Sequence, residues 1–113
     1  MADRCVWTGA SRTPYTYFVY PVSHRFAPNE VGNYIYARLA DNAYHPIYIG
    51  EGELADRCSD QHHQAKQIAS KGATHVHAHL NSVEAARKAE ENDLLSVYTQ
   101  AYAPIGCNEK LGG

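Results

Sequence analysis

The residues with the chemistry to bind or transform a ligand concentrate between Gly32 and Arg57, in GNYIYARLADNAYHPIYIGEGELADR. Two tyrosine-bearing apolar runs, residues 33–37 and 46–50, carry Tyr34 and Tyr48. Gly50 and Gly52 then let the backbone leave a sheet abruptly and approach a ligand closely. Downstream come His62 and His63, and then His75, His77 and His79 at alternate positions. Alternate strand residues share one face but stand roughly 6.5–7 Å apart, too far for three imidazoles to reach one ion without a bulge. That row is therefore expected on an exposed or helix-covered sheet face, with a zinc-binding or pH-sensitive surface as the alternative. Cys5, Cys58 and Cys107 are odd in number and lack CxxC spacing, so neither a disulfide framework nor a cysteine zinc site is suggested. Cys58 and Cys107 read as buried small hydrophobes.

The elements that must position these groups follow from local pattern. β-Branched and aromatic residues on either side of Asp41-Asn42-Ala43 predict an antiparallel hairpin. Residues 15–20, YTYFVY, end at Pro21 and predict a strand at or near a sheet edge. Residues 1–14 lack periodicity and read as a flexible N-terminal arm or an edge-covering extension, with Trp7 as the anchor. Leu54, Cys58, Gln61/His62, Ala65 and Ile68/Ala69 recur at helical spacing over 53–71, with a break near 60–63 and a stop at Lys71-Gly72. Residues 74–80 alternate strictly, with Val76, Ala78 and Leu80 opposite the histidines. Asn81 with Glu84 resembles a capping box and predicts a helix over 82–102 carrying Val83, Ala86, Leu94, Leu95, Val97, Tyr98 and Ala101.

With 113 residues, 44% hydrophobic and 19% charged, the chain has the composition of one globular domain, assigned to 15–113. A net charge of −2 does not advertise a polyanion partner and counts against tight, non-specific nucleic-acid binding by a monomer. No apolar run approaches the roughly 18 residues needed to span a bilayer, and no signal-peptide core precedes the domain, so a cytoplasmic protein without membrane contact is expected.

The order of strand with Tyr34, strand with Tyr48-Ile49-Gly50, helix with Arg57, third strand and long helix resembles the GIY-YIG nuclease domain from about Gly32 to Asn108. The first motif stands as Gly32-Asn33-Tyr34, with asparagine in place of isoleucine, and the second is intact as Tyr48-Ile49-Gly50. The family's helix arginine falls on Arg57, and its metal-binding glutamate, followed two residues later by two aliphatics, falls on Glu91 of Glu91-Asn92-Asp93-Leu94-Leu95. The terminal asparagine corresponds to Asn108. The histidine often found four residues after the arginine is Gln61 here, so His62 and His63 both compete for that role. The resemblance implies an α+β fold in which a small central antiparallel sheet, three strands plus an N-terminal addition, is flanked by helices.

It also implies hydrolysis of a nucleic-acid phosphodiester, of DNA in preference to RNA, with Mg2+ or Mn2+ as cofactor. In that chemistry Glu91 holds the metal, which neutralises charge at the scissile phosphate. Arg57 binds the developing pentavalent phosphate. Tyr34 takes the proton of the attacking water, supported by Tyr48 and by His62 or His63, while Gly50 and Asn108 line the substrate site. Each residue also has a plainer reading. The tyrosines can be strand residues filling a core, Glu91 beside Glu90 part of a solvated helix face, His62 a buried structural imidazole and Asn108 a turn residue. A catalytically silent binding or interaction module on the same fold is the competing function, favoured by Glu51, Glu53, Asp56 and Asp60 around Arg57. For an acidic monomer, a homodimer is one way to add phosphate contacts.

Overall fold

A computed structural model describes residues 3–109. The chain is α+β, with elements β1 (Asp3–Thr8), β2 (Pro14–Pro21), β3 (Val31–Ala40), β4 (Ala43–Glu53), α1 (Leu54–Arg57), α2 (Ala65–Ser70), β5 (His75–Leu80) and α3 (Glu84–Leu95). A 3-10 turn, Thr99–Ala101, follows. The strands form one antiparallel sheet in the order β1-β2-β5-β3-β4.

The β3–β4 hairpin forms as its sequence predicts. Asp41 and Asn42 both take positive φ, 54° and 62°, which matches the right-handed twist of the flanking strands in a two-residue loop. One irregularity within it determines the site. Ala37 pairs with Pro46 but Tyr36 pairs with Tyr48, so Ile47 is an extra residue in β4. Pro46, which has no N–H to give the ladder, sits beside this bulge. Without it Tyr48 would stand opposite Ile35 and point to the other face.

β3 is covered on both sides, and Gly32 through Ala37 are all buried. Tyr34 and Tyr36 join Ile47, Leu54, Cys58, Ile68, Val76, Ala78 and Cys107 in the core under α1 and α2. Ile35 and Ala37 join Trp7, Tyr17, Ile49, Leu94, Leu95 and Ala101 in the core under α3. The two cysteines read as buried hydrophobes are so placed.

Three sequence expectations are corrected. The segment assigned to an arm contributes β1, the edge strand beside β2, so the Tyr15–Tyr20 strand lies one position in from the edge. Trp7 is its anchor: the ring is buried and its Nε1–H donates to His77 Nδ1 at 2.9 Å. The β1–β2 connection is tied to α3 through Asp93, whose carboxylate accepts from Ser11 N, Ser11 Oγ and Tyr15 Oη. The pattern over 53–71 forms two short helices, α1 and α2, with an irregular segment between them that contains the expected break near 60–63. The last helix ends at Leu95 rather than 102, and Val83, Ala86 and Val97 are exposed, because only Arg87, Glu90, Leu94 and Leu95 of α3 face the sheet. No reciprocal capping box forms: Asn81 Oδ1 accepts from Val83 N, while Asn81 N donates to Val31 O.

The histidine row shares one face, as alternation requires; α3 meets only its His79 end, while Trp7 and Tyr44 cover His77. Its members go to separate partners: His75 to Thr74 Oγ1, His77 to Trp7 and His79 Nε2 to Glu90 at 2.6 Å.

Candidate active site

β4 is an edge strand, and the two faces of the sheet meet along it. α1 begins directly after β4, with Leu54 fully buried and its N–H bound to Glu30 O, so Arg57 at the helix end swings back over the strand. Gly52 makes room for it: at φ +137° a Cβ there would lie 3.0 Å from Arg57 Nε. On the opposite face Arg87 of α3 pairs with Glu51 of β4 at 2.9 Å, and its carbonyl accepts from Asn33 Nδ2. Glu91 lies one helical turn beyond Arg87 and is therefore carried to the same rim.

Under α1 and the irregular 58–64 segment, Tyr34 is 1% exposed and its hydroxyl lies 3.0 Å from His62 Nε2. Gln64 N–H donates to His62 Nδ1 at 2.9 Å, so in the neutral ring Nε2 carries the proton and donates to the Tyr34 oxygen. Burial, with His63 and Arg57 adding to it, pushes the His62 pKa down to about 4, so that ring is neutral at physiological pH. Tyr48 lies nearly parallel to Tyr34 with centroids 6.0 Å apart and meets His62 edge-on at 4.7 Å. Gly50 is the floor beneath Tyr34: a Cβ there would come within 2.5 Å of its Cζ and hydroxyl.

Burial raises the Tyr34 pKa, with Tyr48 and Cys58 adding to it and Arg57 opposing. Tyr48 is raised by burial and by Glu91, again against Arg57. Glu91 is lifted to about 7 by burial and then by the Glu51 carboxylate, with Arg57 and Lys88 opposing. One guanidinium thus lies in electrostatic range of Tyr34, Tyr48, His62 and Glu91. It forms no ion pair among the described residues. Asp56, Arg57, Gln61, His62 and His63 line an open cleft of 330 Å³.

The fold therefore brings together Tyr34, Tyr48, Arg57, His62, Gly50 and Glu91. His63 stacks on His62 at 4.5 Å and lines the cleft, but His62 is the one bonded to Tyr34. Asn108 gives both ends of its amide to the backbone of Ile49, accepting from N at 2.8 Å and donating to O at 2.9 Å. It holds the free edge of β4 in place of another strand. Glu90 is buried, accepting from the Tyr17 hydroxyl and bonded to His79, which leaves Glu91 as the one of the two adjacent glutamates at the rim.

No His/Cys/Asp/Glu cluster of three or more that could cage a metal occurs among the described residues. The donors at the rim are two carboxylates, Glu91 and Glu51, whose repulsion helps keep Glu91 protonated up to neutral pH. A hard divalent cation suits that pair, since Mg2+ takes one or two carboxylates and completes its shell with water and substrate oxygens.

Glu51 and Asn33 were missed as supporting residues. The signal for both was weak, because their partner Arg87 lies more than thirty residues away in the chain. Compared with family models, curated proteins and solved structures, the chain matches none of them.

Proposed function

We propose that this chain is a GIY-YIG-type nuclease that hydrolyses phosphodiester bonds of nucleic acid, DNA in preference to RNA, with Mg2+ or Mn2+. The observation that carries this reading is the cleft that Arg57 shares with His62, whose Nε2 lies 3.0 Å from the hydroxyl of the first motif tyrosine, Tyr34. A guanidinium without an ion-pair partner is suited to bind a phosphate through two parallel hydrogen bonds. Glu91 would hold the divalent cation, which supplies charge neutralisation at the phosphate and the leaving oxygen. Water attacks phosphorus, the bond to the leaving oxygen breaks, and the water proton passes to the Tyr34 oxygen. For that step Tyr34 must first be a phenolate. The proton on His62 Nε2 points at its oxygen and would stabilise that charge, and Arg57 favours it as well.

The test is cleavage of supercoiled plasmid, single-stranded and branched DNA with and without Mg2+ or Mn2+. Metal-dependent cutting lost in Glu91→Ala and Arg57→Ala is the expected outcome. Equal cutting by Glu91→Ala would refute the mechanism. One observation favours a silent binding module instead: Tyr34 is enclosed, and burial keeps its hydroxyl protonated. Such a module would bind nucleic acid without turnover and would tolerate loss of Glu91.

A further inference from the structure

Three residues stand side by side across the sheet beneath α3. Asn33 of β3 is opposite His79 of β5 on one side and opposite Glu51 of β4 on the other. Each takes hold of the helix through a polar bond. His79 Nε2 meets Glu90 at 2.6 Å, Arg87 Nε donates to Glu51 Oε1 at 2.9 Å, and Asn33 Nδ2 donates to the Arg87 carbonyl at 2.9 Å. The next row, Ile35 with Ile49, lies in the core with Leu94 and Leu95. Glu91 therefore leaves the helix between a polar grip at Arg87 and Glu90 and an apolar grip at Leu94 and Leu95.

Asn33 is fully buried, and only its donor end is used: Oδ1 has no partner among the described residues. An amide oxygen held out of water without a donor costs stability, so packing does not account for the choice of asparagine. An apolar residue of the same shape would leave nothing unpaired, because in α3 the Arg87 carbonyl already accepts the N–H of Glu91, four residues on. What Asn33 adds is a second donor on the carbonyl that receives the Glu91 backbone. Arg87 is itself buried, and its Nη1 donates to Asn81 O at 3.0 Å. The turn that carries Glu91 is thus tied to β3 directly, and through the guanidinium to β4 and to the β5–α3 connection.

The resemblance expects isoleucine where Asn33 stands in the first motif. Before Leu94, α3 buries only Arg87 and Glu90, so an isoleucine there would meet no apolar partner on those turns.

We infer that Asn33 is a positioning residue: through the Arg87 carbonyl it fixes the turn of α3 from which Glu91 presents its carboxylate to a divalent cation. The inference rests on the nuclease reading for the cation at Glu91, and it makes the departure from the first motif a working part of the site. Loss of such an outer partner costs metal affinity about tenfold to a hundredfold.

The test is Mn2+ titration of the full chain, with free Mn2+ read by electron paramagnetic resonance, beside urea unfolding. Glu91→Gln should abolish the binding and so mark the site. Asn33→Leu, close in shape, should weaken Mn2+ binding about tenfold or more while its urea midpoint stays level with the wild type or above it. A merely structural asparagine would do the opposite, lowering the midpoint and leaving the affinity unchanged. Wild-type affinity in Asn33→Leu, a weakening matched by a lower midpoint, or a wild type that binds no Mn2+ at Glu91 overturns the inference. If Asn33→Leu fails to fold, the Mn2+ affinity of Asn33→Ala decides, and a fold lost in both variants overturns it too. Mn2+ binding that depends on Glu91 and Asn33, without cutting of plasmid, single-stranded or branched DNA, would keep the positioning role and sink the nuclease. Cutting that needs Glu91 but is unchanged in Asn33→Leu would do the reverse.

Discussion

Replacing Glu91 by glutamine tests the electrostatics of the rim without any assumption about substrate. In the folded chain the carboxyl titrates at about 7 rather than 4.5, first because it is desolvated and then because Glu51 is near. A raised carboxyl pKa means that the native state keeps a proton the unfolded chain has released. Stability is therefore lost as pH rises from about 4.5 through 7, and the loss is complete above that. Each tenfold change in proton affinity is worth about 1.4 kcal/mol, so the displacement has a ceiling of about 3 kcal/mol, which solvent screening of a partly exposed group reduces to about 1–2 kcal/mol. Glutamine carries no charge at any pH. In urea denaturation followed by circular dichroism, Glu91→Gln should match the wild type closely at pH 4.5 and exceed it by about 1–2 kcal/mol at pH 8. Millimolar Mg2+ at pH 8 should narrow that gap by stabilising only the wild type. A gap that does not change with pH, or a wild type more stable than the variant at pH 8, would refute the desolvated rim and return Glu91 to a solvated helix face.

Three further outcomes follow from the same geometry. Gly50→Ala pushes a methyl into the Tyr34 ring, so Tyr34 or β4 must shift, and denaturant unfolding should register a loss of about 1–3 kcal/mol. Trp7→Phe removes the bond to His77 Nδ1 in a site where His77 Nε2 already lacks a partner, and should cost about 1–2 kcal/mol, with faster amide exchange in β1 before the other strands. His62 and His77 are both pushed down to about 4 by burial, so the unfolded chain binds their protons first; stability should fall as pH drops from about 6.5 to 4, more steeply in Glu91→Gln, where the opposing carboxyl is gone. A flat urea midpoint across that range in Glu91→Gln would mean the two rings are solvated.

Much of the frame was legible because it depends on short-range pattern. The Asp41-Asn42 turn, the alternation over residues 74–80 and the aromatic runs each set a local conformation by residue type alone. The burial of Glu90 was not legible: charge pattern alone puts both glutamates on a solvated face, and Glu90 is buried because Tyr17 and His79, distant in the chain, bond to it. β1 was harder to read: Asp3–Thr8 has little periodicity of its own and becomes a strand through pairing with β2 and the burial of Trp7 against His77.

What only the tertiary structure decided is which way neighbouring residues face where no regular period applies. His62 and His63 are adjacent in an irregular turn, and the docking of that turn on β3 sends His62 to Tyr34 and His63 to the cleft. Tyr48 is the sharper case. The alternation of β4 counted from the hairpin would put it opposite Ile35, among the residues under α3. The extra residue at Ile47 reverses the phase and sets Tyr48 beside Tyr34. Residue types supply the two tyrosines, but a side-chain period of two cannot reveal an unpaired residue within the strand. That residue exists because the hairpin, with Pro46 unable to donate to its ladder, must satisfy a turn at one end and two cores at the other.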